Sequence, residues 1–227
     1  MPKSSGALLQ RAKYTGGDKR HSGSGMATCA IGFEGLTWTD KDLIPACVLH
    51  TLLGGGGSFS SGGPGKGMYT KLYTGVLNRN DWVLNATAFN HVYSDSGVFG
   101  IMASASPDML PQLIELVANE AVSMTKNLDK VSVERAKNMT ISSLLMSLES
   151  RGVLCEDIGR QVLASGTYET ADQLIAQVKA VKGSDLERVA ARVLQTKPSV
   201  AICGELYGTP SYSQISSYVK SNISIPA

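Results

Sequence analysis

An α+β fold, with a largely antiparallel sheet and helices packed on one face, is what the order of patterns in this chain predicts. Three observations carry it. A mostly apolar, β-rich run stands at residues 26–34 (MATCAIGFE). Two strand-like runs joined by turn chemistry follow at residues 81–105. Nearly everything from residue 107 to residue 193 then shows helical spacing, before a last strand-like run at 199–204.

Each element has its own reason. Residues 26–34 read as a buried strand. Residues 40–53 read as a helix, with Pro45 acceptable because the helix begins near Ile44, where a missing N–H costs nothing. Residues 68–77 (MYTKLYTGVL) read as a short helix. Residues 81–93 alternate, placing Trp82, Leu84, Ala86 and Ala88 on one face and Asn85 and Thr87 on the other, which is strand periodicity. The SDSG of residues 94–97 is turn chemistry, and residues 98–105 return as the second arm of a hairpin.

Residues 107–124 set Leu110, Leu113, Ile114, Val117 and Ala121 at helical spacing, and residues 131–149 and 153–164 form two more helices. Thr170 with Gln173, and Ser184 with Glu187, are capping boxes that open two further helices. Leu186, Val189, Ala190 and Val193 line one stripe of the last of these. No internal repeat and no linker interrupts the pattern. One domain over residues 11–227 is expected, with residues 1–10 a poorly ordered extension.

Bulk composition narrows the function classes. The 227 residues are 43% hydrophobic, enough for a sizeable core. A net charge of +2 calls for no polyanion, so no nucleic-acid partner is expected. No run of eighteen apolar residues exists to span a membrane as a helix. Cys29, Cys47, Cys155 and Cys203 lack ligand spacing, and Cys29, Cys47 and Cys203 sit in apolar surroundings that predict buried free thiols. His21, His50 and His91 are isolated, and none begins a metal-binding helical motif, so no metal site is expected in this chain. The GxSxG nucleophile elbow is absent, and no catalytic residue is assigned.

The segment GGGGSFSSGGPGKG at residues 54–67 departs from the rest, with eight glycines in fourteen positions. Such a segment gives up stability, because each glycine leaves the unfolded chain freer. Either its backbone needs conformations that only glycine allows, or its task needs mobility and close approach. A phosphate loop fails the test. Aligning Gly65-Lys66 on the GK of GxxxxGK[ST] leaves Ser60 where the first glycine belongs and Gly67 where the hydroxyl belongs. A second feature is the charged run LESRGVLCEDIGRQ at 148–161. There Glu156 and Arg160 are spaced to pair on one helix face, and Glu149 is placed to pair with Arg151. The alternative use of Glu149, Glu156 and Asp157 is an acidic rim for a cationic partner.

Several stretches together resemble one family. They are GFEG at 32–35, LLGGGGSFSSGGPGKGMYTKLY at 52–73, ERAKN at 134–138, LLMSLESR at 144–151 and EDIGRQVL at 156–163, with YTGGDKR at 14–20 before them. They are similar to the C-terminal half of the alpha subunits of mitochondrial processing peptidases, relatives of the pitrilysin and insulinase metallopeptidases. The resemblance implies a noncatalytic, presequence-recognising component that works with a zinc-bearing beta subunit, the zinc being held there and no cofactor in this chain. It implies substrate contact through a glycine-rich lid made of Gly54, Gly55, Gly56, Gly57, Ser58, Phe59, Ser60, Ser61, Gly62, Gly63, Pro64, Gly65, Lys66 and Gly67. Glu149, Glu156 and Asp157 would receive the arginines of basic, amphipathic presequence peptides. Alpha subunits of this family carry two such halves, so a sister N-terminal half is an expected partner. The alternative is a structural core subunit of the cytochrome bc1 complex, among the subunits of that assembly. The expected location is the mitochondrial matrix, or the matrix face of the inner membrane in the bc1 case.

Overall fold

The apolar run at residues 26–34 becomes the middle of the sheet. A computed structural model describes residues 13–55, 66–126 and 128–223; the extension expected over residues 1–10 lies outside them. The strands are β1 (Gly17–Ser22), β2 (Ala27–Glu34), β3 (Val83–Val92), β4 (Gly97–Ala105) and β5 (Ser199–Gly204). They are ordered β1-β5-β2-β4-β3, antiparallel throughout except for the parallel pair β1 and β5. The helices are α1 (Leu43–Leu53), α2 (Leu110–Ser123), α3 (Lys130–Leu148), α4 (Arg151–Ser165), α5 (Ala171–Ala180), α6 (Gly183–Leu194) and α7 (Tyr212–Asn222). This is the predicted α+β class.

Strand alternation divides the sheet into unlike faces. Ala27, Cys29, Ile31 and Phe33 of β2, Phe99, Ile101 and Ala103 of β4, and Val200 and Ile202 of β5 are buried. The apolar stripes of α1 (Val48, Leu49, Leu52), α2 (Leu110, Leu113, Val117) and α6 (Leu186, Val189, Val193) join them in one core. On the opposite face Lys19, Asn85, Met102, Ala201 and Cys203 are exposed, and Thr28 and Ala30 are half-buried. Among the described residues that face carries no helix.

A charged clamp ties α1 to α6. Asp42 stands at the start of α1, yet its carboxylate does not cap the helix. It accepts instead from Arg188 at 2.7 Å and Arg192 at 3.1 Å, while Arg192 also donates to Asp40 at 2.6 Å. Hydrogen bonds from Arg192 to Asp40 and from Arg188 to Asp42 hold both carboxyls below their ordinary range.

Several expectations are corrected. Leu84 is not on the buried face: the register shifts between Val83 and Asn85, and this bulge leaves Leu84 60% exposed while Val83, Ala86 and Ala88 are buried. The short helix read at residues 68–77 is a 3-10 turn (Lys66–Tyr69) followed by a π-helical turn (Tyr73–Leu77). Ser184 does not cap α6. The helix starts at Gly183, and Asp185 accepts from the Lys182 N–H at 3.0 Å. Cys203 is exposed, because it falls on the uncovered face of β5. β1 and α7 had no counterpart in the sequence reading.

Candidate functional site

The glycine-rich segment leaves α1 through two residues with separate requirements. Gly54 has φ +139°, a conformation that residues with side chains rarely adopt. Its carbonyl accepts from the Ala88 N–H at 3.3 Å and the Thr87 hydroxyl at 3.3 Å, which ties the segment to the outer edge of β3. Gly55 is different: a Cβ there would lie 2.1 Å from Nε2 of His50. That ring is already committed, its Nε2–H donating to the Ala88 carbonyl at 3.1 Å. Burial lowers the His50 pKa, while the bond to the Ala88 carbonyl partly offsets that effect. His50 and Gly54 thus satisfy both main-chain groups of Ala88.

The downstream end is held by three contacts. Leu72 packs under Gly54, where a Cβ would stand 3.1 Å from the Leu72 Cβ, so the two ends of the segment meet. Tyr69 lies beneath the Arg135 guanidinium, 4.6 Å from ring centroid to Cζ. Lys71 donates to the Ser123 carbonyl at 3.0 Å, beside Glu120. Burial depresses the Lys71 pKa and raises that of Glu120, with each charge partly offsetting the effect on the other. Residues 56–65, most of the predicted lid, lie outside the described residues, as does the side chain of Lys66.

From Arg135 an open groove of about 650 Å³ runs along α3, lined by Val131, Glu134, Arg135, Asn138 and Met139. Of the predicted acidic residues, one lies at the far end of this helix. Glu149 caps the C-terminus of α3, and Glu156 and Asp157 sit on α4. Fourteen residues of helix separate Arg135 from Glu149, which is roughly 21 Å along the axis. Glu149 therefore does not adjoin the Tyr69–Arg135 contact; it stands about three-quarters of the helix length away. Glu156 pairs with Arg160 at 2.5 Å, and Arg160 in turn lies over Trp38. Asp157 accepts from Gln161 at 2.8 Å. Among the described residues no ion pair joins Glu149 to Arg151, contrary to the spacing argument. Among the described residues no three His, Cys, Asp or Glu side chains gather as a metal site, and no helix is long and apolar enough to cross a membrane.

Residues 1–140 match the family described as "Peptidase M16 inactive domain". The chain belongs to this peptidase M16 family. Within it, the chain is 46% identical over 185 residues to the mitochondrial-processing peptidase subunit alpha of Bos taurus, covering 82% of this chain and 35% of that protein. The subunit of the same name from Homo sapiens is 44% identical over 191 residues, and that from Solanum tuberosum 37% over 226 residues, or 97% of this chain and 45% of that protein. The chain thus spans between about a third and a half of the length of these relatives. A chain of the solved Complex III2 from Candida albicans, Inz-5 bound, has the same fold with a TM-score of 0.75 over 90% of this chain and 49% of that one, at 16% identity.

Sequence reasoning missed His50, Tyr69, Lys71 and Arg135 as the residues that hold the two ends of the glycine-rich segment. The signal available for His50 was its place one turn before Gly54. Tyr69 and Arg135 are 66 positions apart, and no pattern within the chain announces that pair.

Proposed function

We propose that this chain is the noncatalytic, presequence-recognising part of a mitochondrial processing peptidase alpha subunit. The observation that carries the reading is the glycine-rich segment itself. Its first two residues need a bare Cα for stated reasons, and both its ends are pinned to the domain, in a chain 44–46% identical to alpha subunits from Homo sapiens and Bos taurus. Pinned ends with a glycine- and serine-rich middle suit a lid whose main chain passes close to a peptide. Targeting presequences are amphipathic, arginine-rich and poor in acid. Glu149, Glu156 and Asp157 offer them carboxylates, and the interval of roughly 21 Å along α3 corresponds to about six residues of extended peptide.

In this reading hydrolysis belongs to a zinc-bearing beta subunit, this chain supplies no cofactor, and a sister N-terminal half completes the alpha subunit. The protein works in the mitochondrial matrix. A second reading, a structural core subunit of the cytochrome bc1 complex at the matrix face of the inner membrane, draws on the fold it shares with a chain of Complex III2. Purification of a tagged chain from mitochondria separates them. Recovery of a zinc-bearing peptidase subunit without cytochromes b and c1 is the expected result. Recovery of the two cytochromes with no peptidase subunit would replace the first reading by the second.

A further inference from the structure

We propose that Trp38 and Glu156 form a receptor for a guanidinium group, which Arg160 of the same chain fills until an arginine of a bound peptide replaces it. The receptor stands on its own geometry; its second occupant rests on the presequence reading given above. A guanidinium is recognised by a carboxylate that accepts from its N–H fork and by an aromatic face on which its plane lies. Both are present, brought together from far apart in the chain. Nη2 of Arg160 donates to Glu156 at 2.5 Å, and Cζ of Arg160 stands 5.6 Å from the centre of the Trp38 ring.

The ring has a fixed base. Trp38 follows β2, and its N–H donates to the Tyr93 carbonyl at 3.1 Å, while Thr37 forms a bridge with Tyr93 just beyond β3. The Asp40 N–H donates to the Thr37 carbonyl at 3.1 Å, and the Asp40 carboxylate accepts from Arg192 at 2.6 Å. The backbone around the ring is thus tied to the hairpin on one side and to α6 on the other. The carboxylate, by contrast, stands on α4, which buries no residue.

Arg160 is a loose occupant. Its side chain is 43% exposed and that of Glu156 70%, and an exposed pair four residues apart on a helix is weakly held. Its distance from the ring is near the outer limit of about 6 Å for such contacts, whereas Arg135 stands 4.6 Å from the centre of Tyr69. A peptide arginine meets the same carboxylate and the same ring, with further carboxylates nearby. Asp157 accepts from the neutral amide of Gln161, and Glu149 closes α3.

The other cations of this region are placed differently. Arg188 and Arg192 are committed to Asp42 and Asp40. Lys41, exposed three residues after Trp38, has no planar fork. Arg151 opens α4, more than one turn from Glu156, and is exposed. Its charge opposes any cationic peptide, but among the described residues it is Arg160 that lies over Trp38.

Two titrations of the 227-residue chain test this. In the first, arginine amide supplies a guanidinium without a presequence, and the Trp38 indole N–H, identified by its loss in Trp38→Phe, is followed by NMR. Arg160→Ala empties the receptor, so the signal should shift at about threefold lower concentration than in the parent, and lysine amide should shift it less. In the second, an arginine-rich presequence peptide is compared with its lysine counterpart by fluorescence anisotropy. Arg160→Ala should tighten the arginine peptide about threefold more than Arg151→Ala, which removes the same charge away from the ring. Trp38→Leu should reduce the preference for arginine over lysine by about the same factor; if that variant unfolds, the two arginine variants decide. Equal tightening by Arg160→Ala and Arg151→Ala, or a Trp38 signal that responds alike in parent and Arg160→Ala, would overturn the proposal and leave the presequence reading intact. Binding of arginine amide to a chain that takes no presequence peptide would keep the receptor and overturn the presequence reading.

Discussion

Gly54 and Gly55 adjoin in sequence yet are required for different reasons, and substitution should show it. Gly54→Ala forces a side chain into φ +139°, a cost of about 1–3 kcal/mol. Gly55→Ala displaces the His50 ring and breaks its bond to Ala88, at about 1–3 kcal/mol for the orphaned carbonyl. Thermal unfolding should record a fall of several degrees for each, and a second substitution, His50→Ala, should remove most of the additional cost of Gly55→Ala but none of that of Gly54→Ala. A special use for glycine was read from residues 54–67 as a whole; the structure bears on it at Gly54, which needs a backbone angle, and Gly55, which needs an empty Cβ, and sequence could not separate the two. That distinction depends on His50 and Leu72, which come from either side of the segment. His50 also gives a pH dependence. Burial lowers its folded pKa below the ordinary value of 6.5, so the unfolded chain binds more protons between the two values. Stability should be complete above about pH 6.5 and fall as pH drops through that window, and a His50→Gln variant should lack this part of the slope.

At the scale of elements, α4 is where function and stability separate. Its carboxylates stand on a helix with no buried residue, so replacing them should not disturb the core. Glu156→Gln with Asp157→Asn is expected to weaken binding of an arginine-rich presequence peptide several-fold, read by calorimetry, with melting temperature within about a degree of the parent, since an exposed pair contributes under about 1 kcal/mol. Equal affinity would remove both residues from substrate recognition. The pairing of Glu156 with Arg160 was legible from its spacing; the contact of Arg160 with Trp38 was not, because it joins elements far apart in the chain. Strand β3 was legible by alternation, but a bulge inverts the pattern at Leu84, and alternation cannot announce an extra residue. β1 escaped because GDKRHS is a polar edge strand with no alternation, defined only by its pairing with β5. α7 did carry a signal: Ser211 and Gln214 form the same capping box that opens α5.

Across the whole molecule, the helical layer is fixed to the sheet by the core and to itself by the Asp40, Asp42, Arg188 and Arg192 clamp. Asp42→Asn should cost about 1–2 kcal/mol in urea unfolding, a modest figure because both guanidinium groups remain about half exposed. This frame holds the two ends of the glycine-rich segment together and sets the acidic end of α3 at a defined distance from them. Fluorescence anisotropy of a labelled arginine-rich presequence peptide, bound to the chain together with its recovered peptidase partner, is the most direct test of that arrangement. Replacing Gly56, Gly57, Gly62 and Gly63 by alanine is predicted to weaken binding about tenfold, or 1.4 kcal/mol, with folding and partner recovery unchanged. Undiminished affinity in that variant would contradict substrate handling by the glycine-rich segment.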